Sequence, residues 1–220
     1  PSIPGGTYLW TPGNLTTQTI FVSPQTNSQY SVVYSFAGCT SPPAVATVTV
    51  DPIPVVSFDV DFTEGCAPLT VNLTNTTLNT QNCTWNLGNG AQLNECGNLS
   101  YTFQNPGCYD IALTTDSPNG CTNTLTLNDL ICVYATPNAD FTVNSNTIDA
   151  SEPTVIINNN STGAVDYIWN YGDNSFDSSV YSPDPHTFEG LLQSSYYVTL
   201  TAISENGCID STYQITVSYT

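Results

Sequence analysis

Three short patterns recur in the same order along this chain, and a chain built that way folds as a row of like units rather than around one large core. The first is an aromatic run ending in Trp and a Gly turn: Tyr8-Leu9-Trp10-Thr11-Pro12-Gly13, Cys83-Thr84-Trp85-Asn86-Leu87-Gly88 and Tyr167-Ile168-Trp169-Asn170-Tyr171-Gly172. The second is a Tyr/Val-rich strand leading to a Gly-Cys turn: Tyr30 to Cys39, Tyr109 to Cys121 and Tyr197 to Cys208. The third is a closing strand: Ala44 to Val50, Thr124 to Val133 and Thr212 to Val217. Trp85 and Trp169 lie 84 residues apart and Cys121 and Cys208 lie 87 apart, one small sandwich domain per repeat. Pro-rich joints separate the units at Asp51-Pro52-Ile53-Pro54 and Ala135-Thr136-Pro137-Asn138. Proline fixes φ and favours extended geometry there, so a semi-rigid rod is expected.

The expected division is residues 1–52, 53–135 and 136–220. The second and third units each place two strands ahead of their Trp: Ser57 to Phe62 with Leu69 to Thr74, and Ala139 to Val143 with Thr154 to Asn158. The first has none, so 1–52 reads as the back half of a sandwich whose front half lies upstream. Each full unit shows about seven short runs of period-two alternation broken by Gly, Pro and Asn, the signal of an all-β Greek-key sandwich. In the run from Tyr196 to Ala202, for example, Tyr196, Val198, Leu200 and Ala202 share one face. Trp10, Trp85 and Trp169 recur at one position and are expected in cores, which argues against a carbohydrate-stacking role for them.

Composition narrows the function. Of the 220 residues none is Lys or Arg, and 18 are Asp or Glu, giving a formal net charge of −18. A chain without cations cannot neutralise phosphates, so neither nucleic acid nor an anionic membrane surface is an expected partner. No membrane insertion is expected either, because no transmembrane run is visible; nor is a signal peptide or lipidation motif, which suggests a piece of a longer chain. Eight cysteines with no CxxC pair and one His do not fit common metal sites. Disulfides are expected instead, and with them a secreted, extracellular setting.

Residues 57 to 133 and 139 to 217 resemble PKD domains, an Ig-like sandwich family. The resemblance rests on Trp85-Asn86-Leu87-Gly88-Asn89-Gly90 and Trp169-Asn170-Tyr171-Gly172-Asp173-Asn174, on Pro185-His186-Thr187-Phe188 with the weaker Ser100-Tyr101-Thr102-Phe103, and on Gly107-Cys108-Tyr109-Asp110-Ile111-Ala112-Leu113. Gly65-Cys66-Ala67-Pro68 paired with Asn119-Gly120-Cys121 is similar to the cysteine-bearing PKD-like repeats of Bacteroidota proteins exported by type IX secretion. The front fragment, with Tyr8 to Gly13, Thr19 to Pro24 and Tyr30 to Tyr34, resembles repeats in the giant gliding-motility adhesins of that phylum, the SprB-like proteins. The resemblance implies a long surface filament for adhesion or gliding, its tandem sandwiches in an extended array. Expected partners are neighbouring repeats of the same chain, with surface polysaccharide or other adhesin copies as further candidates. The alternatives are a glycan-binding accessory module beside a secreted hydrolase and a self-assembling sheath or surface layer.

Six cysteines in the middle unit allow 15 pairings. Cys83 and Cys96 flank the Trp–Gly hairpin and are expected to close it. Cys108 begins one strand and Cys132 ends the next, which sets them side by side in an antiparallel pair. The resemblance implies Cys66–Cys121 as the third pair. Cys39 and Cys208 are then unpaired within the segment, the place of Cys66 in the third unit being taken by Asp149-Ala150-Ser151. No catalytic residue and no cofactor is expected. His186 reads as a ring at a strand entry, because the middle unit carries Tyr101 there, rather than as a base coupled to Asp184 and a serine. Asp173 and Asp177 space oxygen donors of the kind calcium uses, but a solvated Asx turn is the plainer reading of the stretch, and the matching Asn89 to Leu93 lacks carboxylates. Asp59, Asp61 and Glu64 near a joint form a second acidic group of the same standing.

Overall fold

The computed structural model describes residues 5–147, 153–188 and 195–216, and its regular structure is all β. In the first unit β1 (Thr7–Thr11), β2 (Ser28–Phe36), β3 (Cys39–Thr40) and β4 (Ala44–Val48) form one antiparallel sheet in which β2 pairs with each of the others. The second unit runs through β5 (Phe58–Val60), β6 (Glu64–Cys66), β7 (Leu69–Asn75), β8 (Asn82–Asn86), β9 (Gln92–Leu93), β10 (Asn98–Phe103), β11 (Gly107–Asp116) and β12 (Thr122–Tyr134). These make two sheets, β10-β7-β5 and β6-β12-β11-β8-β9. All their pairings are antiparallel except β6 with β12, which is parallel.

The third unit comprises β13 (Phe141–Val143), β14 (Thr154–Val155), β15 (Ile157–Asn159), β16 (Asp166–Asn170), β17 (Phe176–Ser178), β18 (His186–Thr187), β19 (Tyr196–Ile203) and β20 (Ile209–Thr216). Its sheets are β13-β15, β14-β18 and β17-β16-β19-β20. The stretch Asp149 to Ser151 and Val217, at the end of the expected closing strand, lie outside the described residues.

Alternation builds each core. Along β19, Tyr196, Val198, Leu200 and Ala202 are buried while the residues between them are not, because successive side chains of a strand point to opposite faces. In the second unit Phe58, Val71, Leu73 and Phe103 of one sheet meet Trp85, Ile111, Leu113, Ile131 and Val133 of the other, which makes an Ig-like sandwich. Phe141 and Ile157 meet Trp169, Val198 and Leu200 in the same way in the third. The two cores share their centre. Trp85 and Trp169 are fully buried, each receives the edge of a Phe from the facing sheet (Phe58, 5.1 Å; Phe141, 5.3 Å), and each donates its indole N–H at 2.9 Å to a backbone carbonyl (Glu95; Val180). Burying an indole requires such an acceptor.

Trp10 keeps the bond, to the carbonyl of Thr17 at 2.9 Å, but not the burial. It is half-buried rather than in a core, because among the described residues the first unit has one sheet and nothing facing it. Leu9, Phe36 and Val45 of the same sheet are exposed.

Candidate functional site

The cysteines define the site, and it lies at a joint. At the far end of the second unit, β6 runs parallel to the end of β12, with Cys66 opposite Tyr134. Bonds on both sides lock it: Cys132 N–H donates to Thr63 O and Ala67 N–H to Tyr134 O, both at 2.8 Å. The Thr136 hydroxyl, already in the linker, donates to Ala67 O at 2.6 Å. Cys208 sits in the turn between β19 and β20, where Ser204 N–H donates to Cys208 O, Gly207 N–H to Ser204 O, and Cys208 N–H to the Ser204 hydroxyl. The same turn reaches the incoming chain, since Asp210 accepts the Ala139 N–H at 2.8 Å.

Cys66 is bonded to Cys208, with Cα atoms 5.6 Å apart and a sequence separation of 142. This corrects the expected Cys66–Cys121 pair and the expected free thiol at Cys208. The reason is geometric. Cys121 precedes the first residue of β12 and Cys66 lies beside the last, so the 13-residue strand holds them roughly 40 Å apart. A disulfide tolerates about 7 Å between Cα atoms. A parallel β6 carries its cysteine to the end facing the next sandwich, and the bond therefore joins two units.

Cys83–Cys96 closes the hairpin around Trp85, and Cys108–Cys132 joins residues directly opposite in the β11–β12 register. Two thiols are free, exposed Cys39 and half-buried Cys121. Cys121 occupies the same kind of turn as Cys208: Ser117 N–H donates to Cys121 O, Gly120 N–H to Ser117 O, and Cys121 N–H to the Ser117 hydroxyl. Its Sγ lies 3.8 Å from the carbonyl of Asp51 at the first joint. Two side-chain amides fix that joint, Asn119 to the Asp51 carboxylate at 2.7 Å and Asn123 to Pro54 O at 2.8 Å.

His186 finds Asp173, not Asp184. Its Nε2 lies 2.8 Å from the Asp173 carboxylate, and its ring stacks on Tyr171 at 3.9 Å and meets Phe188 edge-on. The Ser175 hydroxyl donates to the other Asp173 oxygen and lies 3.4 Å from the same Nε2. A catalytic triad needs the acid on one ring nitrogen and the nucleophile on the other; here both crowd one nitrogen and the serine gives its proton to the acid. The cluster is a clamp that holds the turn after β16 against β18. Burial raises the Asp173 carboxyl pKa, and the hydrogen bonds from Ser175 and His186 outweigh it, so the net shift is downward.

Asp177 accepts the Tyr171 hydroxyl at 2.6 Å, and burial together with that bond pushes the phenol well above its usual range. Asp61 is held by Asn72 N–H, the Asn72 amide and Phe62 N–H, which lower its pKa. The carboxylates of Asp61, Glu64, Asp173 and Asp177 are thus each engaged by a protein partner. No group of three His, Cys, Asp or Glu side chains comes together among the described residues.

Fold and joint define a protein of tandem Ig-like β-sandwiches, two of them covalently joined. Residues 49–132 match the family model of the PKD domain. No curated protein matches the chain. Among solved structures it is similar to the PKD1 domain of Vibrio anguillarum Epp (25% identity over 39% of this chain and 100% of that one, TM-score 0.33). It is also similar to a 1.5-MDa bacterial ice-binding adhesin (13%, 97% and 85%, 0.41) and to the insect immune protein hemolin (13%, 99% and 68%, 0.41). Three disulfides and a PKD unit fit a secreted or extracellular protein.

Proposed function

We propose that the chain is a structural stalk segment of a long, repetitive cell-surface adhesin used in surface adhesion or gliding, as in the type IX-exported filaments its sequence resembles. One observation carries the reading: the Cys66–Cys208 bond spans two successive sandwiches at their joint. A binding module has no need of a covalent bond to its neighbour, whereas a stalk that transmits load does. The joints lie at opposite ends of β12, Cys121 and Asp51 at one and Cys66 and Cys208 at the other, so the units follow one another end to end. The protein has no catalytic role in this reading, and its partners are its own neighbouring repeats.

Small-angle scattering tests the shape. A radius of gyration well above the about 17 Å of a compact globule of this length is expected, and a value near it contradicts a stalk. A glycan array tests the role: no binding by this chain is expected, and specific binding favours an accessory glycan module.

A further inference from the structure

The first joint repeats the second with one part absent. Ser57 N–H bonds the Thr77 hydroxyl as Asp140 N–H bonds the Ser161 hydroxyl, so the two units align 83 positions apart at their entry strands. The same offset carries Tyr134 onto Asp51. Tyr134 is the residue beside which Cys66 pairs, and Asp51 is the residue whose carbonyl lies 3.8 Å from the Cys121 sulfur. At the second joint, then, a cysteine-bearing strand lies along the closing strand and bonds the turn cysteine of the next unit. At the first joint the closing strand β4 pairs only with β2 among the described residues, and most of it is exposed, whereas β12 is flanked by both β11 and β6. The turn cysteine is in place and free. Beside it the chain leaves an apolar groove at the joint, with Val55 and Leu78 exposed next to Pro118.

We propose that the open edge of β4 and Cys121 together are the seat of one further strand of the kind of β6: an extended segment bearing a single cysteine and running parallel to β4. Edge pairing gives it affinity, as in β-strand addition. The thiol meets Cys121 beside Asp51 and closes a bond equivalent to Cys66–Cys208. In the bonding step two thiols lose two protons and two electrons, and a small-molecule disulfide such as oxidised glutathione takes them up to become two thiols. The exchange passes through a glutathionyl adduct that the second thiolate attacks, releasing glutathione. The inference goes beyond the stalk reading, since a compact scattering profile would remove the stalk and leave selective bonding at Cys121 intact.

The test incubates the chain in oxidised and reduced glutathione with a peptide of residues 61–70, whose one thiol is that of Cys66, and maps the products without reduction. The expected product carries the peptide on Cys121 in about ten-fold excess over Cys39, because pairing along β4 raises the effective concentration at one thiol only, while a scrambled peptide shows no preference. Equal yields at both thiols overturn the proposal, as does a chain that dimerises through Cys121 in place of taking the peptide.

Discussion

Thr115 is the one residue among those described whose buried side-chain oxygen has no hydrogen-bond partner. Thr115→Val keeps the shape and removes the unpaired hydroxyl, so a gain of about 1 kcal/mol in chemical denaturation is expected. The same exchange at Thr114, whose hydroxyl shares a 2.8 Å bond with Thr124 on the exposed face, should give no such gain. Asp173→Asn breaks the clamp at His186 and should cost about 2 kcal/mol near neutrality, the scale of a hydrogen bond to a charged group. Its pKa is lowered by folding, so the carboxylate's contribution is full above the unfolded value of about 3.9 and is lost as pH falls through the lower folded one. The gap between wild type and variant should therefore close in acid, and a gap that persists there would show that charge has no part in it. The position of His186 at a strand entry was legible from Pro185 to Phe188. Its partner was not, because Asp173 and Asp184 are both near in sequence and only the turn after β16 decides between them.

At the scale of elements, the strands could be read from alternation because each buries one face of a sheet, and the Trp–Gly turns because two glycines have no substitute. Gly88 has φ +73°, and a Cβ there would stand 2.7 Å from the Asp110 carbonyl of β11; Gly172 repeats this against Tyr197 of β19. Gly88→Ala should cost about 3 kcal/mol, since neither the backbone conformation nor the facing backbone can give way. Gly120 has the same sign of φ but open space around it, so Gly120→Ala should cost only about 1 kcal/mol. Comparing the two denaturation midpoints separates conformational strain from steric contact. What alternation could not reveal was direction. β6 is three residues long and runs parallel to β12, and no pattern in Glu64-Gly65-Cys66 says which end of a partner strand it will join. That one unreadable choice moved Cys66 from its own unit's turn to the next unit's.

For the whole molecule, the absence of Lys and Arg leaves the His186–Asp173 contact as the one place among the described residues where an imidazole meets a carboxylate, so its cohesion rests on apolar cores and disulfides. Trp10 marks where reading by repeats fell short: the motif was present, but a core needs two sheets, and residue pattern alone does not report the facing one. The Cys66–Cys208 bond also sets how the molecule behaves as a mechanical element. Tension applied at the two chain ends enters through the first unit, runs along β5 and β6 to Cys66, crosses the sulfurs to Cys208 and leaves through β20. Everything between those cysteines, including the Ala135 to Asn138 linker and most strands of both sandwiches, lies on a closed loop that carries no end-to-end load. Single-molecule pulling should show this as missing length: oxidised chains should stop extending short of their full contour, and reduction should release on the order of 500 Å more, the span of the 142-residue loop. A chain wired in this way extends by less than its full contour and keeps most strands of the two joined sandwiches, those between Cys66 and Cys208, out of the path of the force.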